Sequence, residues 1–132
     1  MKILITGAGG YIGTMLAYYL KKFSLASEIY GFDRFFYNQG PYVYDVLVNR
    51  GNCQFYQEDI LNFSDNLKEC VEKSDAIIPL AAIVGAPICD KIPQYATNLN
   101  YQWYERLLAR PNIDKKLIIY PNTNSGYGTT GR

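Results

Sequence analysis

The segment Gly7-Ala8-Gly9-Gly10-Tyr11-Ile12-Gly13 repeats glycine at intervals of three. Gly7 would permit a tight turn, Gly10 would let bare backbone approach a diphosphate, and Gly13 would let a helix pack closely on a strand. A diphosphate placed there meets unpaired N–H groups at the start of a helix. The spacing is Gly-x-x-Gly-x-x-Gly, not the commoner Gly-x-Gly-x-x-Gly, and no Gly-Lys-Ser/Thr follows, which excludes an ATPase phosphate loop. Asp33 stands twenty positions beyond Gly13, where a carboxylate can accept hydrogen bonds from an adenosine ribose. That carboxylate would repel a ribose 2′-phosphate, so NAD is expected ahead of NADP. Arg34 leaves the choice open, because a guanidinium could hold that phosphate or lie over the adenine. A glycine-rich turn without a ligand is the plain alternative.

These groups need elements to position them. Lys2 to Thr6 reads as an apolar strand, closed by Gly7. Tyr11 to Phe23 reads as a helix, with Ile12, Met15, Leu16, Tyr19, Leu20 and Phe23 expected on its inner face. Further strands are expected at 28–33, 53–56, 75–80 and 116–120, and helices at 41–49, from a cap at Asn62 or Ser64 to Lys73, and at 93–109. Strands alternating with helices give an α/β fold, a doubly wound parallel sheet of order 3-2-1-4-5. Strands one, four and five are apolar throughout and are expected at its covered centre. In such a sheet ligands sit outside the carboxyl ends of the strands, where Gly7 to Gly13 and Asp33 fall.

Composition narrows the classes. The 132 residues suffice for one domain and are 48% apolar with a net charge of +1, which makes no electrostatic case for nucleic acid or an anionic membrane. The stretch from Ala76 to Cys89 is too short to span a bilayer and is broken by Pro79, Gly85 and Pro87. The apolar start is far shorter than a signal peptide needs, so the cytoplasm is the expected compartment. Histidine is absent, which removes Ser-His-Asp and Cys-His mechanisms and most zinc sites; no metal site is expected. The three cysteines are widely separated and suggest a reduced chain.

From Thr6-Gly7-x-x-Gly10-x-x-Gly13, Asp33, Asp59-Ile60, Leu80-Ala81-Ala82 and Thr123-Asn124-Ser125-Gly126-Tyr127-Gly128, in that order, the chain resembles the extended short-chain dehydrogenase/reductase family, the NAD-dependent epimerase/dehydratase group. The resemblance implies a Rossmann domain over 1–132 with Gly7, Gly10, Tyr11, Ile12, Gly13, Asp33, Arg34, Asp59, Ile60, Leu80, Ala81 and Ala82 at the cofactor. It places Asp59 near the adenine amino group, and small residues at 81 and 82 beneath the cofactor. It gives Thr123 and Asn98 catalytic roles, with Asn100 competing for the second. Gly85, Asn124 and Ser125 are candidate contacts to a nucleotide-sugar substrate. Asn124-Ser125 lacks the Asp-Glu pair of many dehydratases, which favours epimerase or simple oxidoreductase chemistry, with transient hydride transfer between sugar and nicotinamide. The serine-rich run usual before the threonine is here Pro121-Asn122. A homodimer is also implied, and the helix at 93–109 could contribute to it.

The resemblance further expects Tyr-x-x-x-Lys on a helix after strand five, beyond Arg132, so the chain is expected to be an incomplete domain and inactive alone. Tyr18 and Lys22 match that pattern by chance, since Lys22 would lie roughly 14 Å down the first helix at about 1.5 Å per residue, away from the ligand edge. Tyr127 has Gly131 at the lysine position. The other reading of the chain is a module that binds NAD without turnover, as a sensor or partner subunit. A third is a Rossmann-like domain that has lost its ligand and persists as an interaction surface.

Overall fold

The structure, a computed structural model, describes residues 1–122. Five strands form one parallel sheet in the order β3-β2-β1-β4-β5, as expected: β1 Lys2–Thr6, β2 Glu28–Asp33, β3 Cys53–Gln57, β4 Ala76–Pro79 and β5 Leu117–Ile118. The register aligns the carboxyl ends, pairing Thr6 with both Phe32 and Pro79, and Asp33 with Gln57. Gly7, Asp33, Asp59 and Leu80 therefore leave the sheet along one edge.

Side chains alternate across β1, so two cores form. Leu4 joins Phe32, Ile77, Leu67, Leu99 and Trp103 beneath α3 (Asp65–Lys73) and α6 (Trp103–Leu108). Ile3 and Ile5 join Ala17, Leu20, Ile29 and Leu47 beneath α1 (Tyr11–Lys22), α2 (Gly40–Tyr44) and the π-helical turn Asp45–Arg50 that continues α2. Ser64 caps α3, its hydroxyl accepting from the Leu67 amide at 3.2 Å. Cys53, Cys70 and Cys89 are free thiols, and burial pushes Cys53 up to about 12, which leaves it unreactive.

Three expectations are corrected. The buried face of α1 is Gly13, Thr14, Ala17 and Leu20, while Ile12 and Phe23 are 62% and 60% exposed. The helix lies so close to the sheet that small residues occupy the interface and several larger apolar ones turn outward. The helix expected at 93–109 is a short α5 (Pro93–Thr97), a π-helical turn (Asn98–Gln102) and α6, preceded by α4 (Ala86–Lys91). Finally, β5 is a two-residue edge strand among the described residues, and Leu117 is half exposed, so apolar composition did not signal a central position there.

Candidate functional site

Between β1 and α1 the chain turns at Gly7, whose φ of +71° is left-handed. A Cβ there would stand 2.6 Å from the Ala81 amide nitrogen, so the glycine both permits the turn and lets the loop after β4 pass against it. Gly10 begins α1 without any side-chain cap, and its amide bonds the Gly7 carbonyl at 3.0 Å. No acidic residue occupies the first turn of α1. The amides of Tyr11, Ile12 and Gly13 thus sit at a helix start where the backbone offers no intrahelical acceptor. The side chains of Tyr11 and Ile12 project into solvent.

Asp33 closes β2 beside this loop. Its Oδ2 accepts from the Gly9 amide at 3.0 Å and its Oδ1 from the Phe35 amide at 2.7 Å. Each oxygen keeps a further lone pair for a hydroxyl donor. Burial raises the Asp33 pKa above the ordinary carboxylate value, against the opposing pull of the two amides. The turn that follows sets Phe35 and Asn38 at φ of 55° and 56°, and Phe35 folds its ring against Gly9.

Two clefts meet at the glycine loop, sharing Gly7, Gly10, Leu80 and Ala82. The smaller, of about 140 Å³, lies between Asp33, Arg34, Asp59, Ile60, Ala81 and Tyr95. A larger one of about 630 Å³ extends past Tyr11, Ile12 and Gly13 to Val84, Asn100, Tyr104, Tyr120 and Asn122. A body spanning both would cross the uncapped start of α1 at its middle. Every residue expected at a cofactor, from Gly7 to Ala82, lines one cleft or both.

The remaining expectations divide. Thr123, Asn124 and Ser125 lie outside the described residues. Gly85, with φ of +97°, is the residue before α4 and lines neither of these two clefts. Asn98, expected to be catalytic, accepts from Gln94 Nε2 at 2.8 Å and is absent from both linings. Its competitor Asn100 faces the larger cleft. There Asn100 Oδ1 accepts from the Ile83 amide at 2.9 Å and its Nδ2 donates to the Ile83 carbonyl at 2.7 Å. The π-helical turn brings Asn100 to that loop, a distortion that helical periodicity does not announce. Tyr18 and Lys22 stack on each other at the far end of α1, with Nζ 5.7 Å from the ring centroid.

Several groups went unread in the sequence. Tyr95 donates to Asp59 Oδ2 at 2.9 Å, across 36 residues of chain. Tyr104 donates to the Pro79 carbonyl at 3.2 Å; burial, with Tyr120 nearby, pushes its phenol up to about 12, so it stays protonated and holds the end of β4. Gln39 and Tyr37 close the smaller cleft from the turn after β2. Only the aromatic richness of the chain hinted at them. Among the described residues no cluster of histidine, cysteine or carboxylate is arranged to hold a metal, and no helix is long and apolar enough to cross a membrane.

The sequence profile of the NAD dependent epimerase/dehydratase family matches residues 3–132. The chain is 30% identical over 127 residues to the bifunctional polymyxin resistance protein ArnA of Wigglesworthia glossinidia brevipalpis, covering 96% of the chain and 18% of that protein. It is 34% identical over 131 residues to the dTDP-D-glucose 4,6-dehydratase of Dictyostelium discoideum, covering 97% and 30%. Among solved structures, UDP-glucuronic acid 4-epimerase from Bacillus cereus in complex with NAD superposes with a TM-score of 0.80 at 32% identity, covering 99% of the chain and 43% of the epimerase. The same enzyme with UDP-glucuronic acid and NAD gives 0.81 at 32% identity, over 100% and 43%. The chain spans less than half the length of each of these relatives, and over that span it belongs to the NAD-dependent epimerase/dehydratase family.

Proposed function

We propose that the joined clefts bind NAD and that the chain is the NAD-binding part of a nucleotide-sugar epimerase or related oxidoreductase. The observation that carries this is the uncapped start of α1 lying between Asp33 and the Leu80–Ala82 loop. Its amides would take the diphosphate, the Asp33 oxygens the adenosine ribose hydroxyls, and the smaller cleft the adenine. The nicotinamide would then fall in the larger cleft, against Ala82 and Asn100.

NAD supplies the hydride acceptor for oxidising a sugar carbon, as the family chemistry requires. Asn100 acts from behind: by gripping both backbone groups of Ile83 it fixes the loop on which that ring would rest. Thr123 is proposed to hydrogen-bond the reacting sugar hydroxyl, as the family pattern implies. A nucleotide sugar is the proposed substrate, in keeping with the relative solved with UDP-glucuronic acid and NAD.

Calorimetric titration tests the reading. NAD is expected to bind saturably to the native chain and more weakly to Asp33→Ala, by roughly tenfold or more, since a hydrogen bond to a charged group contributes about 1.5–3 kcal/mol. An Asp33→Ala chain that binds NAD as tightly as the native one contradicts it. The pH dependence carries its own signature. Because the Asp33 pKa is raised in the fold, its contribution to the stability of the unliganded chain is full below the unfolded value and is lost as pH rises through the folded one. NAD affinity should move oppositely, rising with pH over that window as the accepting carboxylate forms. Melting and titration series at graded pH read the two slopes, and parallel slopes would rule out Asp33 as the ribose acceptor.

A further inference from the structure

Among the described residues Arg34 is the only cation lining either the smaller cleft or the open recess beside it, formed by Phe35, Asn38, Gly40, Tyr44 and Gln57. Adjacent to Asp33, it stands where a guanidinium could meet a phosphate on the ribose 2′-oxygen. The structure gives that guanidinium other work. Its Nη1 donates to Asp59 Oδ2 at 2.9 Å, and the same oxygen accepts from the Tyr95 hydroxyl at 2.9 Å. The guanidinium carbon lies 5.2 Å from the Phe36 ring centroid and 5.1 Å from that of Tyr95. Those two rings stack 6.2 Å apart and pack on the larger core, so the platform under Arg34 is not free to follow it.

Asp59 is itself anchored. Its Oδ1 accepts from the Leu61 amide at 2.9 Å, capping the turn Ile60–Asn62, so the carboxylate cannot swing away with Arg34 without breaking that cap. Its side chain is 22% exposed against 44% for Arg34, which places the fixed partner inside and the held one at the rim. The cation next to the ribose site is thus restrained by the Asp59 charge, by a hydrogen-bond acceptor it shares with Tyr95 and by two ring faces.

We propose that Asp59, by holding Arg34 against the Phe36–Tyr95 pair, makes the cleft selective for a dinucleotide with a free ribose 2′-hydroxyl. This rests on the reading that the cleft takes a dinucleotide. Asp33 repels the extra phosphate, and Asp59 withdraws the neighbouring cation that could compensate. Any weakening of adenine binding on changing Asp59 affects both dinucleotides alike and cancels in their ratio.

The test is calorimetric titration of NAD and NADP into the native chain, Asp59→Asn, Arg34→Ala and the double variant, with circular dichroism to confirm folding. Asparagine keeps an acceptor for the Leu61 amide and loses the charge. Asp59→Asn is expected to shift the affinity ratio toward NADP by about tenfold, the scale of a charge-assisted pair with phosphate, and the double variant to lose that gain. Arg34→Ala alone should leave the ratio within about twofold, because the guanidinium is not spent on the phosphate in the native chain. A folded Asp59→Asn chain with an unchanged ratio overturns the proposal. So does selective loss of NADP binding in Arg34→Ala, a readout that stands even where Asp59→Asn does not fold. Native chain that binds neither dinucleotide would sink the underlying reading instead.

Discussion

Gly13→Ala is expected to lower stability by about 2 kcal/mol and NAD affinity by about a hundredfold. A Cβ at this position would stand 2.4 Å from the Gly7 carbonyl oxygen, 2.7 Å from Ala8 Cα and 2.9 Å from the Ala8 carbonyl oxygen. All three are main-chain atoms, so no side-chain rotation relieves the clash and α1 must retreat from the loop. Inserting volume into a packed interface costs roughly 1–3 kcal/mol. The retreat carries the Tyr11, Ile12 and Gly13 amides with it. Losing two hydrogen bonds to a charged diphosphate at about 1.5 kcal/mol each removes about 3 kcal/mol, or two powers of ten in affinity. Denaturant melts and NAD titration measure the two effects. Native-like values for both would show that α1 does not need its close approach to the strand.

Trp103→Ala should be the most damaging single change in the core, at about 3–5 kcal/mol. The indole is fully buried at the start of α6 and is the largest of the fully buried side chains. It packs edge-on to Tyr104, with ring centroids 5.2 Å apart, and Tyr104 in turn holds the Pro79 carbonyl at the end of β4. Against a total of about 5–15 kcal/mol for an ordinary domain, that loss leaves the chain marginal at room temperature. Among the described residues its buried Nε1 has no hydrogen-bond partner, so there the indole contributes through volume and shape. Trp103→Phe, which removes the N–H and only part of the volume, is expected to cost less than about 2 kcal/mol. Urea unfolding of the two variants decides the matter. Equal losses would mean that the cavity is not the cause.

The parts of the fold that rest on short-range pattern were legible in the sequence. β1 and β2 fall where apolar runs end in Gly7 and in Asp33, and parallel order follows from helices intervening between strands. α3 begins at the serine whose hydroxyl caps it. Amphipathic counting failed on α1 because the inner face carries Gly13 and Ala17, which a hydrophobic pattern does not weigh, while larger apolar side chains such as Ile12 and Phe23 face out. Nor could counting choose between Asn98 and Asn100, which the family pattern alone had put forward: a π-helical turn sets Asn100 against the loop after β4, while Asn98 accepts from Gln94. No spacing rule relates Arg34 to Asp59 and Tyr95, which lie 25 and 61 positions along the chain from it. Those contacts exist only because β2 and β3 end at one edge of the sheet and α5 brings Tyr95 to the same cleft. Phe35 in a left-handed conformation was equally silent, since phenylalanine is not a residue that marks such a turn.

Everything functional here depends on the diphosphate of NAD seating on the first-turn amides of α1. A nitrogen–proton correlation spectrum of the isotope-labelled chain, recorded with and without NAD, reads those amides one by one. The largest displacements are expected at Tyr11, Ile12 and Gly13, with smaller ones at Gly9 and Phe35 around the Asp33 carboxylate. Saturable NAD binding that leaves the α1 amides in place, or a spectrum that NAD does not alter at all, would contradict it.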